Sequence, residues 1–271
     1  MKFIFLLLII IIIIIIVIII QNKKEKFTYE PKIINVVCIF TGYNIDEWDY
    51  NFIKKWCNEM KIYFVHNHDA KSKKSENQWI DKIKSLNIEY IQRPNEGWDV
   101  TAWKDTILKY YDDLKTYDEL ILMNNSMNYE KLNIKEICDL AFNYDIYGIY
   151  YQLAPKLMQY DNHLQSYFTI FRSNVINSEA FLKFYQNLPK ITSHQSAVVN
   201  YEIKLVKYYK EKGFKKIGSY ICDRRPFNLG YQYKHLWIKK LLMGNVINES
   251  NQVIKKSHLF NDCLYRQWKN N

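Results

Sequence analysis

Residues 93–104 read Arg-Pro-Asn-Glu-Gly-Trp-Asp-Val-Thr-Ala-Trp-Lys, and within them the spacing Asn95-x-Gly97-x-Asp99 suits contact with a phosphate. Pro94 disfavours helix at Arg93, while Asn95 and Gly97 tolerate a tight turn that brings bare backbone close to a ligand. After the turn, Val100, Trp103, Ile107, Tyr110, Tyr111 and Leu114 recur at helical spacing, with Asp99 as the expected N-cap. The N–H groups of that first turn point back at the loop, and a helix N-terminus attracts phosphate. An ordinary strand-to-helix turn uses the same residue types, so both readings stand at this point.

Other groups could share the chemistry. Glu202 falls on a predicted helix, 196–212, on one face with Val198, Leu205, Val206 and Tyr209. A carboxylate on an apolar stripe needs a partner or a task. The first reading is a salt bridge to a lysine of the basic tail; the second is a general base of raised pKa. Arg224 and Arg225 follow the last predicted strand, where charge-assisted contacts to a diphosphate are favoured. His66-Asn67-His68-Asp69 has metal-ligand types but no further ligand nearby in sequence, so a polar loop at a strand end is expected.

The elements that position these groups alternate. Strands are expected at 33–40, 62–65, 88–91, 119–123, 145–152, 167–172 and 217–221, and helices at 46–60, 77–86, 100–114, 176–185 and 196–212. Such alternation specifies an α/β fold with a mostly parallel, Rossmann-like sheet covered on both faces. Ligands of these sheets bind outside the carboxyl ends of the strands. That location gathers Thr41, Asn67, the 95–99 loop and the strand end Asn124-Asn125-Ser126. The turn Thr41-Gly42-Tyr43-Asn44 is not a Gly-x-Gly-x-x-Gly fingerprint, which argues against a dinucleotide oxidoreductase.

Residues 3–20 are 18 consecutive apolar residues. At about 1.5 Å per residue they span roughly the hydrocarbon core of a bilayer. Expected organisation is a transmembrane anchor at 1–21, a linker at 22–32, one domain at 33–235 and a basic extension at 236–271. Lys23, Lys24, Lys26 and Lys32 follow the span and only Lys2 precedes it, so the positive-inside rule places the domain in the cytoplasm of a single-pass membrane protein. The chain carries net charge +10, yet residues 203–271 hold 15 Lys and Arg against 4 Asp and Glu. Local basicity suits a nucleotide diphosphate, a phosphorylated lipid acceptor or an anionic membrane. No nucleic-acid module accompanies it, and nucleic acid is not an expected partner. The five Cys have no metal-ligand spacing and read as free thiols.

The run from Asn95 to Asp99 with Ala102, Trp103 and Lys104 resembles the signature of the rhamnan synthesis protein F family of glycosyltransferases. Leu122 to Ser126, His163 to Phe168, and Tyr201-Glu202 leading to Lys212-Gly213 are similar to that family in the same order, covering most of residues 33–216. The resemblance implies a GT-A fold and transfer of a sugar, a rhamnose-type deoxysugar being suggested, from a nucleotide-sugar donor to a saccharide or glycolipid acceptor. It implies donor binding by Thr41, Asn67, Asn95, Gly97, Asp99, Lys104, Asn124, Asn125, Ser126, Arg224 and Arg225. It further implies an acceptor wall at His163, Gln165 and Ser166, with Glu202 as base of an inverting reaction. GT-A enzymes commonly hold a divalent cation, Mg or Mn, on a pair of Asp residues at the 124–126 strand end. Asn125 stands where the carboxylate would be, and a neutral amide holds a hard cation more weakly. A membrane-tethered protein that keeps the fold and binds glycan or nucleotide without chemistry is the alternative.

Overall fold

A computed structural model describes residues 34–72, 76–127, 129, 132–152 and 162–223. Strands β1 (Val36–Gly42), β2 (Lys61–His68), β3 (Glu89–Pro94) and β4 (Glu119–Asn124) run parallel in the order β3-β2-β1-β4. Beyond them the sheet turns mixed. β7 (Phe168–Arg172) is antiparallel to β4 and to β5 (Ile146–Gln152), β6 (His163–Leu164) is antiparallel to β5, and β8 (Ile217–Asp223) runs parallel to β5. The sheet is thus mixed, yet six of its eight strands share one direction and only β6 and β7 run against it.

Alternation along each strand divides the core. Cys38 and Phe40 of β1, Ile62 and Phe64 of β2, and Ile121 and Met123 of β4 face one side. There they meet Phe52, Ile53 and Trp56 of α1 (Glu47–Trp56) and Ile80 and Ile83 of α2 (Asn77–Lys84). Val37, Ile39, Tyr63, Val65, Leu120 and Leu122 face the other side. α3 (Trp98–Leu114) lies on that face, with Val100, Trp103 and Ile107 inward. Burying residues on both faces is what the continuous apolar strands require. Trp103 is fully buried against Tyr201, ring centroids 5.6 Å apart. Truncating so large a core side chain typically costs about 3–5 kcal/mol.

Local chemistry moves several boundaries. α1 starts on Asp46, whose carboxylate accepts from the Asp49 N–H while Asp49 accepts from the Asp46 N–H. β2 continues through His66, Asn67 and His68, because β3 pairs with it as far as His68 opposite Pro94, so the expected polar loop is strand. α4 (Ile134–Ala141), capped by Asn133, adds a helix to those expected from the apolar spacing. The expected 176–185 helix is two, α5 (Ser173–Ile176) and α6 (Glu179–Gln186), since Ser178 accepts from Phe181 N–H and restarts the helix. The 196–212 helix is α7 (His194–Ala197), a π-helical turn (Val198–Glu202) and α8 (Ile203–Glu211). Among the described residues no helix is long and apolar enough to cross a membrane. The 3–20 run, the linker, the 236–271 extension, Arg224 and Arg225 lie outside the described residues.

Candidate functional site at the carboxyl ends of the strands

The loop between β3 and α3 is held from several sides. Asn95 N–H donates to the His68 carbonyl at 3.0 Å, and its amide donates to Asp69 at 3.3 Å. Tyr43 Oη donates to the other oxygen of Asp69 at 3.1 Å. Asp69 therefore joins the ends of β1, β2 and β3. The Lys71 N–H above all, then Asn95 and Tyr43, hold its carboxyl below the ordinary carboxylate range. Arg93 donates to Asn67 Oδ1 at 2.8 Å and to the Glu96 carbonyl at 2.9 Å, tying the loop to β2.

The turn itself is left-handed. Gly97 has φ 69°, and a Cβ there would lie 2.0 Å from Thr101 Oγ1, so only glycine fits without displacement. Trp98 follows at φ 52°, a strained conformation for a bulky residue of the sort that clusters at ligand sites. Its side chain is 40% exposed.

Asp99 is not the N-cap. Gly97 occupies that position without any side-chain cap, because the left-handed turn starts the helix two residues earlier. The Asp99 carboxylate instead accepts from Asn124 Nδ2 at 2.6 Å across to β4. Asn124 in turn accepts from the N–H and hydroxyl of Ser126, at 3.1 and 2.6 Å. Burial pushes the Asp99 carboxyl up to about 7 against the lowering effects of Asn124 and Arg93.

Asn125 is engaged elsewhere. Its Oδ1 accepts from Tyr43 N–H at 3.1 Å, and its Nδ2 donates to the Tyr43 carbonyl at 2.9 Å and to Asp49 at 3.1 Å. A carboxylate would forfeit both donor contacts and stand against Asp49. The amide is set by these neighbours, and the place is not one that a cation-binding carboxylate could fill unchanged. Thr41 and Asn67 are fully buried near the ends of β1 and β2, and Thr41 Oγ1 and Asn67 Nδ2 have no hydrogen-bond partner among the described residues. Buried polar atoms of this kind call for an explanation, and a bound ligand is one.

The second group adjoins the first. Ser166 donates both its N–H, at 3.2 Å, and its hydroxyl, at 2.5 Å, to Glu202 Oε1. The next residue, Tyr167, accepts from Asn124 N–H at 3.2 Å, so Ser166 and Tyr167 together connect Glu202 to the β4 end. Among the described residues Glu202 has no lysine partner; Ser166 takes that place. The π turn that presents it is a feature frequent at functional sites. Gln165 donates to Gln152 at 2.7 Å and lies 3.3 Å from His163 Nε2, a buried polar wall between β5 and β6. Lys104 is the outlier: its ammonium donates to the Leu188 carbonyl at 2.8 Å and pins α3 to the end of α6.

Three residues take parts that their sequence context does not announce. Arg93 and Trp98 lie within the loop, where proximity to Asn95 and Gly97 is the one signal that points to them. Glu76 stands at the start of α2 with its carboxylate beside His66 and His68, at 3.4 and 3.3 Å, so the His pair does have a further ligand type at hand. Nothing in the local sequence marks Glu76 for that contact. Burial, foremost, lowers His66 below the ordinary imidazole range.

Residues 62–257 match the family described as Rhamnan synthesis protein F. The uncharacterized protein y4gN of Sinorhizobium fredii is 31% identical over 129 residues, 46% of this chain, and the match spans only a third, 33%, of that relative's length. Among solved structures, a nucleoside-diphosphate-sugar pyrophosphorylase from Vibrio cholerae is 11% identical, with TM-score 0.44 over 69% of this chain and 92% of that one. The glycosyltransferase GlyE of Streptococcus pneumoniae is 13% identical, with TM-score 0.36 over 78% and 51%. Core-mannan synthase A of Aspergillus fumigatus, in its Mn/GDP form, is 12% identical, with TM-score 0.31 over 56% and 63%.

Proposed function

The chain belongs to the rhamnan synthesis protein F family, and from that premise we propose that it transfers a sugar from a nucleotide-activated donor to a saccharide or glycolipid acceptor. The observation that carries the reading is the gathering of polar side chains at the carboxyl ends of β1 to β4, Thr41, Asn67, Asn95, Asp99 and Asn124, with Thr41 Oγ1 and Asn67 Nδ2 buried and without a partner among the described residues. The strained turn at Gly97 and Trp98 directs backbone N–H groups at this region, which suits a diphosphate, and the exposed indole of Trp98 offers a face for a base or sugar ring.

In this reading Glu202 is the base. Both Ser166 donors fall on Oε1, which orients the carboxylate and leaves Oε2 to take the proton of an acceptor hydroxyl as that oxygen attacks the anomeric carbon. His163 and Gln165 line the acceptor side, and the reaction inverts the anomeric centre. At the strand end the two carboxylates at hand, Asp99 and Asp49, are each taken up by an amide, Asn124 and Asn125, so among the described residues that end offers a Mg or Mn ion no free two-carboxylate clamp. Charge on the leaving diphosphate then falls to cationic side chains, with Arg224 and Arg225 as the residues assigned to it.

The test is a panel of nucleotide sugars added to the purified full-length protein, read by melting temperature and by nucleotide release on addition of acceptor. A donor at 100 times its Kd adds about 2.7 kcal/mol, which is several degrees for a domain of this size at about 2–4 °C per kcal/mol. Glu202→Gln keeps the shift and loses transfer. No shift with any nucleotide or nucleotide sugar would refute the donor site; a shift without transfer by the unaltered protein would favour the binding-only alternative.

A further inference from the structure

On the opposite side of the β2 end from Asn67, two histidines of one strand face a buried carboxylate. His66 Nε2 lies 3.4 Å and His68 Nδ1 3.3 Å from the same oxygen, Glu76 Oε1, and the three ligand atoms all fall within 4.8 Å of one another. Zinc bonds of about 2.0–2.1 Å in a tetrahedral arrangement separate neighbouring ligand atoms by about 3.4 Å. Two of the three edges already have that length.

Two features distinguish this group from a chance ion pair. The His66 and Glu76 side chains are 2% and 1% exposed, yet His66 Nε2 has no hydrogen bond among the described residues, despite its proximity to the carboxylate. A buried ring nitrogen aimed at an anion without a hydrogen bond is costly unless a cation lies between them. Each buried ligand is also oriented from behind: Tyr90 Oη sits 2.8 Å from His66 Nδ1, and Glu76 Oε2 accepts from Ile45 N–H at 3.1 Å. Such outer contacts are what set ring orientation and tautomer at metal sites.

We propose that His66, His68 and Glu76 bind a zinc-class divalent cation. Imidazole favours such metals over Mg or Ca. Three protein ligands leave a fourth position for water, and His68, 46% exposed, supplies the opening to solvent. The cation would lock the start of α2 to the end of β2, whose last carbonyl, that of His68, holds Asn95 in the donor loop.

The experiment uses the full-length protein stripped with chelator, then titrated with zinc alone and separately with cobalt, without nucleotide. The expected result is one equivalent of zinc in the unaltered protein that is absent from His68→Ala and from Glu76→Gln, a tetrahedral cobalt spectrum lost in the same variants, and a zinc-dependent rise in melting temperature confined to the unaltered protein. His68→Ala alters a half-exposed side chain, and its circular dichroism before zinc addition reports its fold. Tyr90→Phe should weaken zinc about 10- to 100-fold while keeping the stoichiometry at saturation. Equal zinc content in His68→Ala and the unaltered protein, or no bound equivalent in either, overturns the proposal. Because no nucleotide is present, that failure leaves the donor-site reading untouched, and a failed donor shift leaves this one untouched.

Discussion

Asp99 shows how two physical roles share one sequence pattern. A carboxylate after Gly-x and before an apolar helical repeat is what an N-cap looks like, but the left-handed Gly97 and Trp98 shift the helix start and aim Asp99 at Asn124 instead. Its proton is held to about 7 in the folded chain and released near 3.8 in the unfolded one. The folded state therefore binds more protons between those values, and stability falls as pH rises from about 4 to 7, then levels. Asp49, also pushed up to about 7 by burial, titrates in the same window. Asp99→Asn keeps an acceptor for Asn124 and removes one of the two ionisations. Each tenfold difference in proton affinity between folded and unfolded chain corresponds to about 1.4 kcal/mol. The variant should therefore be more stable than the unaltered protein at pH 7.5 by up to about 4 kcal/mol and close to it at pH 4, while donor binding weakens. Urea midpoints at the two pH values decide; parallel pH profiles would show that Asp99 does not titrate in this window. Asn95 and Gly97 are readable as turn chemistry because backbone conformation dictates them. The duties of Asn125 are not, since its partners, Tyr43 and Asp49, lie 82 and 76 residues away along the chain.

The reversal at β7 rests on a cross-strand pair that periodicity does not reveal. Glu119 and Arg172 stand opposite each other in the antiparallel β4–β7 register, with Nη1 to Oε1 at 2.5 Å and Glu119 fully buried. Burial keeps the Glu119 carboxyl above its ordinary value even though Cys138 and Arg172 pull it down. Removing the guanidinium alone leaves a buried carboxylate uncompensated, so Arg172→Met should destabilise by about 3–5 kcal/mol. Glu119→Gln combined with Arg172→Met should recover much of that loss. A single variant within about 0.5 kcal/mol of the unaltered protein in urea would mean the pair does not hold β7. The long apolar strands and α3 are readable because burial on two faces imposes its pattern over many residues. β6, two residues long, and the π turn at Glu202 are not, because one or two ladder bonds and one extra residue in a helical turn leave the apolar spacing nearly unchanged. Those short elements are the ones that carry His163 and Glu202.

For the molecule as a whole, charge distribution says more than net charge. The excess of Lys and Arg lies after residue 202, on the far side of Glu202 from the 95–99 loop in sequence, leaving the first 202 residues close to neutral. The apolar run 3–20 is followed by Lys23, Lys24, Lys26 and Lys32 and preceded by Lys2 alone. If that run spans a bilayer, the potential and the anionic cytoplasmic leaflet both favour retaining the lysine-rich flank inside. Asn124-Asn125-Ser126 has the Asn-x-Ser form of a glycosylation acceptor, and a cytoplasmic domain agrees with it, since Asn124 Nδ2 is bonded to Asp99 and a glycan on it would break that contact. Under the function proposed above, the donor would then come from a cytoplasmic nucleotide-sugar pool and the acceptor be held at the same membrane face. Protease added to sealed vesicles with the cytoplasmic side outward should digest the domain and leave only the membrane segment. A domain protected until detergent is added, or a glycan found on Asn248 of the second Asn-x-Ser run, Asn248-Glu249-Ser250, would place the domain on the other side and require donor and acceptor to be supplied there.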